Sequence, residues 1–189
     1  MFILKKRLIA LGLSLSFAAG LAGTSFIASA EEVTEPGMSW DCGFSPEGTS
    51  LERVTTAIEE VTGPRATILV AAYEFTSRPI AETLIAAKRR GVTVAVVADT
   101  TENEKPYSKV HDLIAAGIPV RFDNTLAMLH SKYMVLNGVA VETGSLNYTA
   151  AAVSNKHAEN ACVLRHVPLM AKRFARDWKA LWDEATPVQ

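Results

Sequence analysis

Between residues 66 and 123 the apolar positions fall into two alternating kinds of run. ATILVAAYEF (66–75), VTVAVVAD (92–99) and IPVRFD (118–123) are short and almost uninterrupted, the pattern of strands buried on both faces. Between them, 79–90 and 107–116 carry apolar residues at three- and four-residue steps and stop at Gly91 and Gly117. The first opens on Pro79, the proline-first, glycine-last asymmetry of a helix. Residues 51–61 repeat the helical period behind Thr49 or Ser50, either of which can serve as N-cap. Strand, helix, strand, helix, strand predicts a largely parallel sheet with right-handed crossovers and helices on both faces. A hairpin around Asn137-Gly138, a strand over 160–165 and a helix over 169–184 complete one mixed α/β domain, placed at 44–186 after a polar extension at 31–43. There is no internal repeat and no low-complexity linker.

The first 30 residues follow a different pattern. A basic start at Lys5, Lys6 and Arg7 leads into an apolar stretch at 8–22 that is too short for a good membrane span, and Ala28-Ser29-Ala30 matches an A-x-A cleavage site. The reading is a bacterial Sec-type signal peptide cut after Ala30, which predicts a periplasmic or secreted protein. Losing those three cations takes the formal charge of the chain from -1 to -4. That excludes a globally basic nucleic-acid binder and requires any polyanion site to be concentrated. Cys42 and Cys162 would meet an oxidising compartment, where they either pair or stay as two buried thiols; sequence leaves both open.

The hairpin is the part that carries chemistry. A two-residue type I′ turn at Asn137-Gly138 would pair Leu136 with Val139, Met134 with Val141, Lys132 with Thr143 and His130 with Ser145. One face would then hold Met134, Leu136, Val139 and Val141 near the turn and His130, Lys132 and Ser145 at the open end, with Asn147 just beyond. A neutral imidazole is a nucleophile, an ammonium neutralises developing charge, and hydroxyl and amide groups bind oxyanions. The set suits attack on phosphorus. No carboxylate or thiolate cluster adjoins it, so neither a metal nor a cofactor is expected.

His130-Ser-Lys132, then Gly144-Ser145-Leu-Asn147-Tyr-Thr149, then Asn155 and Glu159-Asn160, resemble the HxKxxxxD-GSxN signature of the phospholipase D superfamily. The resemblance is to its small, single-motif bacterial endonucleases and extends through FSPEG, AAYEFTSRPI, AAKRRGV and AAGIPVRFD. It implies that the motif, present once here, is completed by a second copy of the chain in a homodimer with the active site at the two-fold. One His130 would attack phosphorus and the other would protonate the leaving oxygen. Lys132, Asn147 and Gly144 would hold the phosphoryl oxygens, Ser145 would position them, and Glu159 would orient His130. The implied substrate is the phosphate backbone of DNA, with RNA as a further target, cleaved without metal. A phospholipid diester is the alternative. The family's last Asp is replaced by Asn137, which the hairpin register puts at the turn, far from His130; a structural role is expected.

Other residues read more plainly. His111, His157 and His166 lie on different elements without ligand spacing. Phe174, Trp178 and Trp182, with Met170 and Leu181, form a stripe that suits core or dimer packing. Lys105, Lys109, Lys156 and Arg165 are candidates for a phosphate-binding rim.

Overall fold

The computed structural model describes residues 34–154 and 156–188; the segment read as a signal peptide lies outside them. The chain runs β1 (Ser39–Ser45), α1 (Thr49–Glu59), β2 (Thr67–Ala72), α2 (Arg78–Arg89), β3 (Thr93–Asp99), α3 (Thr100–Asn103), α4 (Val110–Ala115), β4 (Val120–Asp123), β5 (Lys132–Leu136), β6 (Ala140–Gly144), β7 (Glu159–Arg165), α5 (Pro168–Glu184) and β8 (Thr186–Val188). The strands form one sheet of order β1-β7-β6-β5-β2-β3-β4-β8.

The sheet is mixed rather than largely parallel. Among the described residues only β2–β3 and β3–β4 are parallel strand pairs; the other five, β1–β7, β7–β6, β6–β5, β5–β2 and β4–β8, are antiparallel. The helical crossovers that force parallel pairing end at β4. Beyond it, β5 returns antiparallel to β2, a tight turn lays β6 beside β5, the loop after β6 brings β7 back beside it, and β8 closes antiparallel on β4 after α5. Two strands were not foreseen. β1 arises within the polar lead and pairs with β7 at seven positions, so the sheet begins inside the segment read as an extension. β8 is only three residues long.

Alternation along the strands sorts the core into two layers. Ile68, Val70, Val94, Val96, Met134 and Leu136 face α1, α2 and α4, packing with Val54, Ile58, Ile80, Leu84 and Leu113. Leu69, Ala71, Ala95, Val97, Tyr133 and Val135 face α5, packing with Ala171 and Trp178. The aromatic stripe on α5 is therefore core: the Trp178 indole N–H donates to Val70 O at 2.8 Å, and Trp182 stacks on Trp178 with ring centroids 4.7 Å apart. Cys42 and Cys162 sit directly opposite in the β1–β7 ladder and form a disulfide, with Cα atoms 4.0 Å apart.

The hairpin keeps its turn but not its register. Asn137 and Gly138 both have positive φ, 51° and 66°, and Val139 N–H donates to Leu136 O at 3.1 Å, as a type I′ turn requires. Val139 is then an extra, bulged residue, and Leu136 pairs with Ala140 instead. Its carbonyl is taken by Val167 N–H at 2.9 Å. The one-residue shift moves Val141 to the α5 side with Tyr133 and Val135, away from Met134 and Leu136, because a slip of one reverses the face.

Candidate active site

The site lies at the end of the sheet where β2, β3 and β4 finish and β5 begins, the edge at which α/β sheets bind ligands. His130 and Ser131 precede β5, and Ser145 and Asn147 follow β6. Buried polar groups fix this end. Asp99, the last residue of β3, accepts from Glu102 N–H at 3.0 Å and so caps α3, while its other oxygen accepts Leu129 N–H at 3.0 Å. With Leu129 buried, the residue before His130 is held in place. Asn103 accepts from Phe75 N–H at 3.1 Å and donates to Tyr73 O at 2.6 Å, fixing the segment that follows β2.

His130, Ser131, Lys132, Tyr133, Thr143, Gly144, Ser145, Asn147, Arg173, Phe174 and Asp177 line one open cleft of about 790 Å³. The structure thus brings together five of the motif residues: His130, Lys132, Gly144, Ser145 and Asn147. His130 is exposed, and its ring leans on Tyr73 with centroids 4.7 Å apart and an interplanar angle of 60°. Lys132 Nζ lies 5.2 Å from the centroid of the same Tyr73 ring and donates to His130 O at 2.5 Å. Partial burial lowers the Lys132 pKa, and the nearby Glu159 charge offsets some of that. Asn147 Oδ1 is buried and makes no hydrogen bond among the described residues. An amide at a cleft wall offers what enters a donor, Nδ2, as well as this unused acceptor. Gly144 is required sterically as well: a Cβ there would collide with the Asn160 carbonyl oxygen.

Glu159 stands beside the cleft, and its partners within one chain differ from the expected one. Its Oε2 accepts from Ser145 Oγ at 2.6 Å, and its Oε1 lies 3.7 Å from His157 Nδ1. Ser145 Oγ in turn accepts Asn160 N–H at 3.0 Å. The carboxylate therefore orders the serine, and no hydrogen bond joins it to His130 among the described residues.

The other positions divide. Asn137 is at the turn, its N–H given to Thr67 O at 2.8 Å, at the far end of the hairpin from His130. Arg165 is at that far end too, opposite Ala140 and bound through two nitrogens to Glu60, so it is no part of a phosphate rim. Lys109 pairs with Asp112 and Lys105 with Glu102; Lys156 is exposed on the loop before β7. His111 hydrogen-bonds Lys105 O at 3.1 Å.

Sequence reasoning missed Tyr73, Asp99, Arg173 and Asp177. The first two had signals: Tyr73 directly follows a buried strand, and Asp99-Thr-Thr-Glu102 has the spacing of a capping box. Arg173 and Asp177 reach the cleft from α5, where Asp177 accepts from Tyr133 Oη at 2.7 Å; that depends on tertiary packing.

Residues 57–182 match the family model described as cardiolipin synthase, PLD-like domain. The chain belongs to the phospholipase D superfamily. The mitochondrial cardiolipin hydrolase of Xenopus laevis is 29% identical over 159 residues, covering 84% of this chain and 73% of that protein. A phospholipase D of Rickettsia bellii is 32% identical over 120 residues, 64% of this chain and 59% of its own. Among solved structures, the phospholipase D family member Nuc from Salmonella typhimurium is similar at a TM-score of 0.75 and 34% identity, over 80% of this chain and 99% of that one. NucT from Helicobacter pylori, 16% identical, shares the fold at a TM-score of 0.71 over 80% of this chain and 99% of its own. These likenesses assign the chain to the Nuc-like branch of the superfamily and support a phosphodiesterase.

Proposed function

We propose that this phosphodiesterase acts on the backbone of nucleic acid, DNA first and RNA as a further target, without metal and as a homodimer. The observation that carries the reading is the cleft. It is open and has Lys132 and Arg173 among its lining residues, with His130, Ser145 and Asn147 beside them and one acid, Asp177. Cations in an open groove suit a polyanionic chain recognised through its phosphates. The overall charge is slightly negative, so this local placement matters more than the net value.

In the proposed reaction a His130 imidazole nitrogen attacks phosphorus and the bond to the leaving oxygen breaks. That oxygen takes a proton from a second histidine. Water then attacks the phosphohistidine, gives its proton to the second histidine, and the N–P bond breaks. Lys132 and Asn147 hold the non-bridging oxygens throughout, and Ser145, ordered by Glu159, helps to place them. Among the described residues His130 is the one histidine lining the cleft. A second copy of the chain would therefore supply the second histidine, with hairpins meeting across a two-fold. The leader at 1–30 would place this activity in the periplasm or outside the cell.

A lipid substrate is the second reading, and one observation favours it. Leu126 and Met128, each 50% exposed, stand on the loop that leads into His130, where they could enter a bilayer surface. The similarity to a cardiolipin hydrolase and a phospholipase D is in keeping with it.

The deciding experiment is plasmid nicking in excess EDTA by the parent and His130→Ala, beside head-group release from cardiolipin and phosphatidylcholine vesicles. Nicking by the parent alone supports the nuclease. Lipid turnover without nicking overturns it. Activity per mole that stays constant on dilution to a monomer, followed by light scattering, overturns the shared site.

A further inference from the structure

Glu142 is an acid in the middle of an apolar layer. It is 1% exposed and pairs across the sheet with Met134 and Val163, both in the core layer beneath α1, α2 and α4. Its Oε2 accepts from Tyr148 Oη at 2.6 Å, and Tyr148 is wholly buried. Burial pushes the Glu142 carboxyl up to about 7 and the Tyr148 hydroxyl well above its ordinary range. Neither side chain lines the cleft. Two apolar side chains of similar volume would avoid the desolvation cost of this pair. Stability alone therefore gives no reason for an acid here.

Position does. Between the two residues lie Thr143, Gly144, Ser145, Leu146 and Asn147, and the β6–β7 ladder ends at Gly144. From there Ser145 and Asn147 reach the cleft while Leu146 and Tyr148 are buried. Tyr148 is the far anchor. Its carbonyl accepts Thr76 N–H at 2.9 Å and Ser77 N–H at 2.8 Å, and its ring packs on Phe75 with centroids 5.7 Å apart. The hydroxyl-to-carboxyl bond closes this segment back onto β6.

We propose that Glu142 and Tyr148 are a positioning pair, whose buried hydrogen bond sets the height and orientation of Ser145 and Asn147 against the reacting phosphorus. The inference rests on the phosphodiesterase reading of the cleft but not on whether the diester is nucleic acid or lipid.

The test compares the parent with Tyr148→Phe, the double variant Glu142→Met with Tyr148→Phe, and Glu142→Gln, which keeps an acceptor for the hydroxyl. The substrate is bis(p-nitrophenyl) phosphate, a diester with neither base nor acyl chain. The double variant is expected to melt no lower than the parent, because it leaves no polar group unpaired. Its kcat is expected to fall about tenfold with KM within about twofold, and backbone amides of 145–149 to exchange about tenfold faster. Glu142→Gln is expected to restore kcat to within about threefold of the parent. A folded double variant with parental kcat, or with unchanged exchange over 145–149, overturns the proposal. Should the double variant not fold, Tyr148→Phe, which loses one oxygen atom, is judged by the same two readouts. A parent inactive on the probe would count against the phosphodiesterase reading, and the exchange measurement would then decide the positioning role by itself.

Discussion

The two ends of the β5–β6 hairpin are built from the same two strands and do opposite things with their polar groups. At the turn every conspicuous group is used up: Asn137 N–H goes to Thr67 O, Val139 O to Val167 N–H, and Arg165 to Glu60. At the open end, among the described residues, Asn147 Oδ1 has no partner, Lys132 Nζ reaches only a nearby carbonyl, and His130 merely leans on a ring. The turn end spends its hydrogen bonds on holding shape, while the open end, Ser145 apart, leaves them for a ligand. A polar group left over beside a cleft is thus a better guide to function than a polar group as such.

The contrast can be broken most severely at His130. We expect His130→Ala to lower kcat by at least about 10³-fold, roughly 4 kcal/mol of barrier, with the melting temperature unchanged, because the ring is exposed. A smaller loss would remove the nucleophile from the scheme.

Between the two ends sits Glu142, and there the expected effect is on stability. Its carboxyl is raised from an ordinary 4.5 to about 7. The folded chain therefore keeps a proton that the unfolded chain has released between those values. The stability this contributes is complete below about pH 4.5 and is lost as pH rises through about 7, by about 3 kcal/mol in total. Urea unfolding of parent and Glu142→Gln from pH 4 to 8 should show that decline in the parent and a flatter profile in the variant. Parallel profiles would refute the raised value.

Asn147→Ala should cost about 10²-fold in kcat, the scale of a lost oxyanion donor, here Nδ2, and little stability, since Oδ1 has no bond to lose among the described residues. Smallest of all is Asn137→Asp, which restores the family residue at the turn. Aspartate accepts the same positive φ, so activity should stay within about twofold. A gain above about tenfold would mean that the turn communicates with the catalytic end and that the contrast is false.

How far the sequence could be read followed from how local each cause is. The β2–α2–β3 and β4 elements were legible because apolar period, proline and glycine act within a few residues, and their ends lie within two or three residues of expectation. The motif residues were legible because their spacing is fixed along the chain. Register was not, because Val139 is drawn out of the ladder by Val167, far along the chain. Nor was β1: Trp40 and Phe44 remain exposed, so its sequence lacks the apolar run of a buried strand, and it is a strand only because β7 offers an edge. Arg173 and Asp177 reach the cleft only through the packing of α5 on the sheet, which no local pattern announces.

The strand order has a consequence for anyone handling the molecule. The first and last strands in sequence are also the two outermost in space. Seven inter-strand spacings of about 4.8 Å separate them, roughly 34 Å in all. Each end of the domain therefore guards a sheet edge against pairing with another chain. Trimming either end would uncover a sticky edge, joining the ends would need a linker long enough to cross the whole sheet, and a pair of dyes at the two ends would gauge its full width.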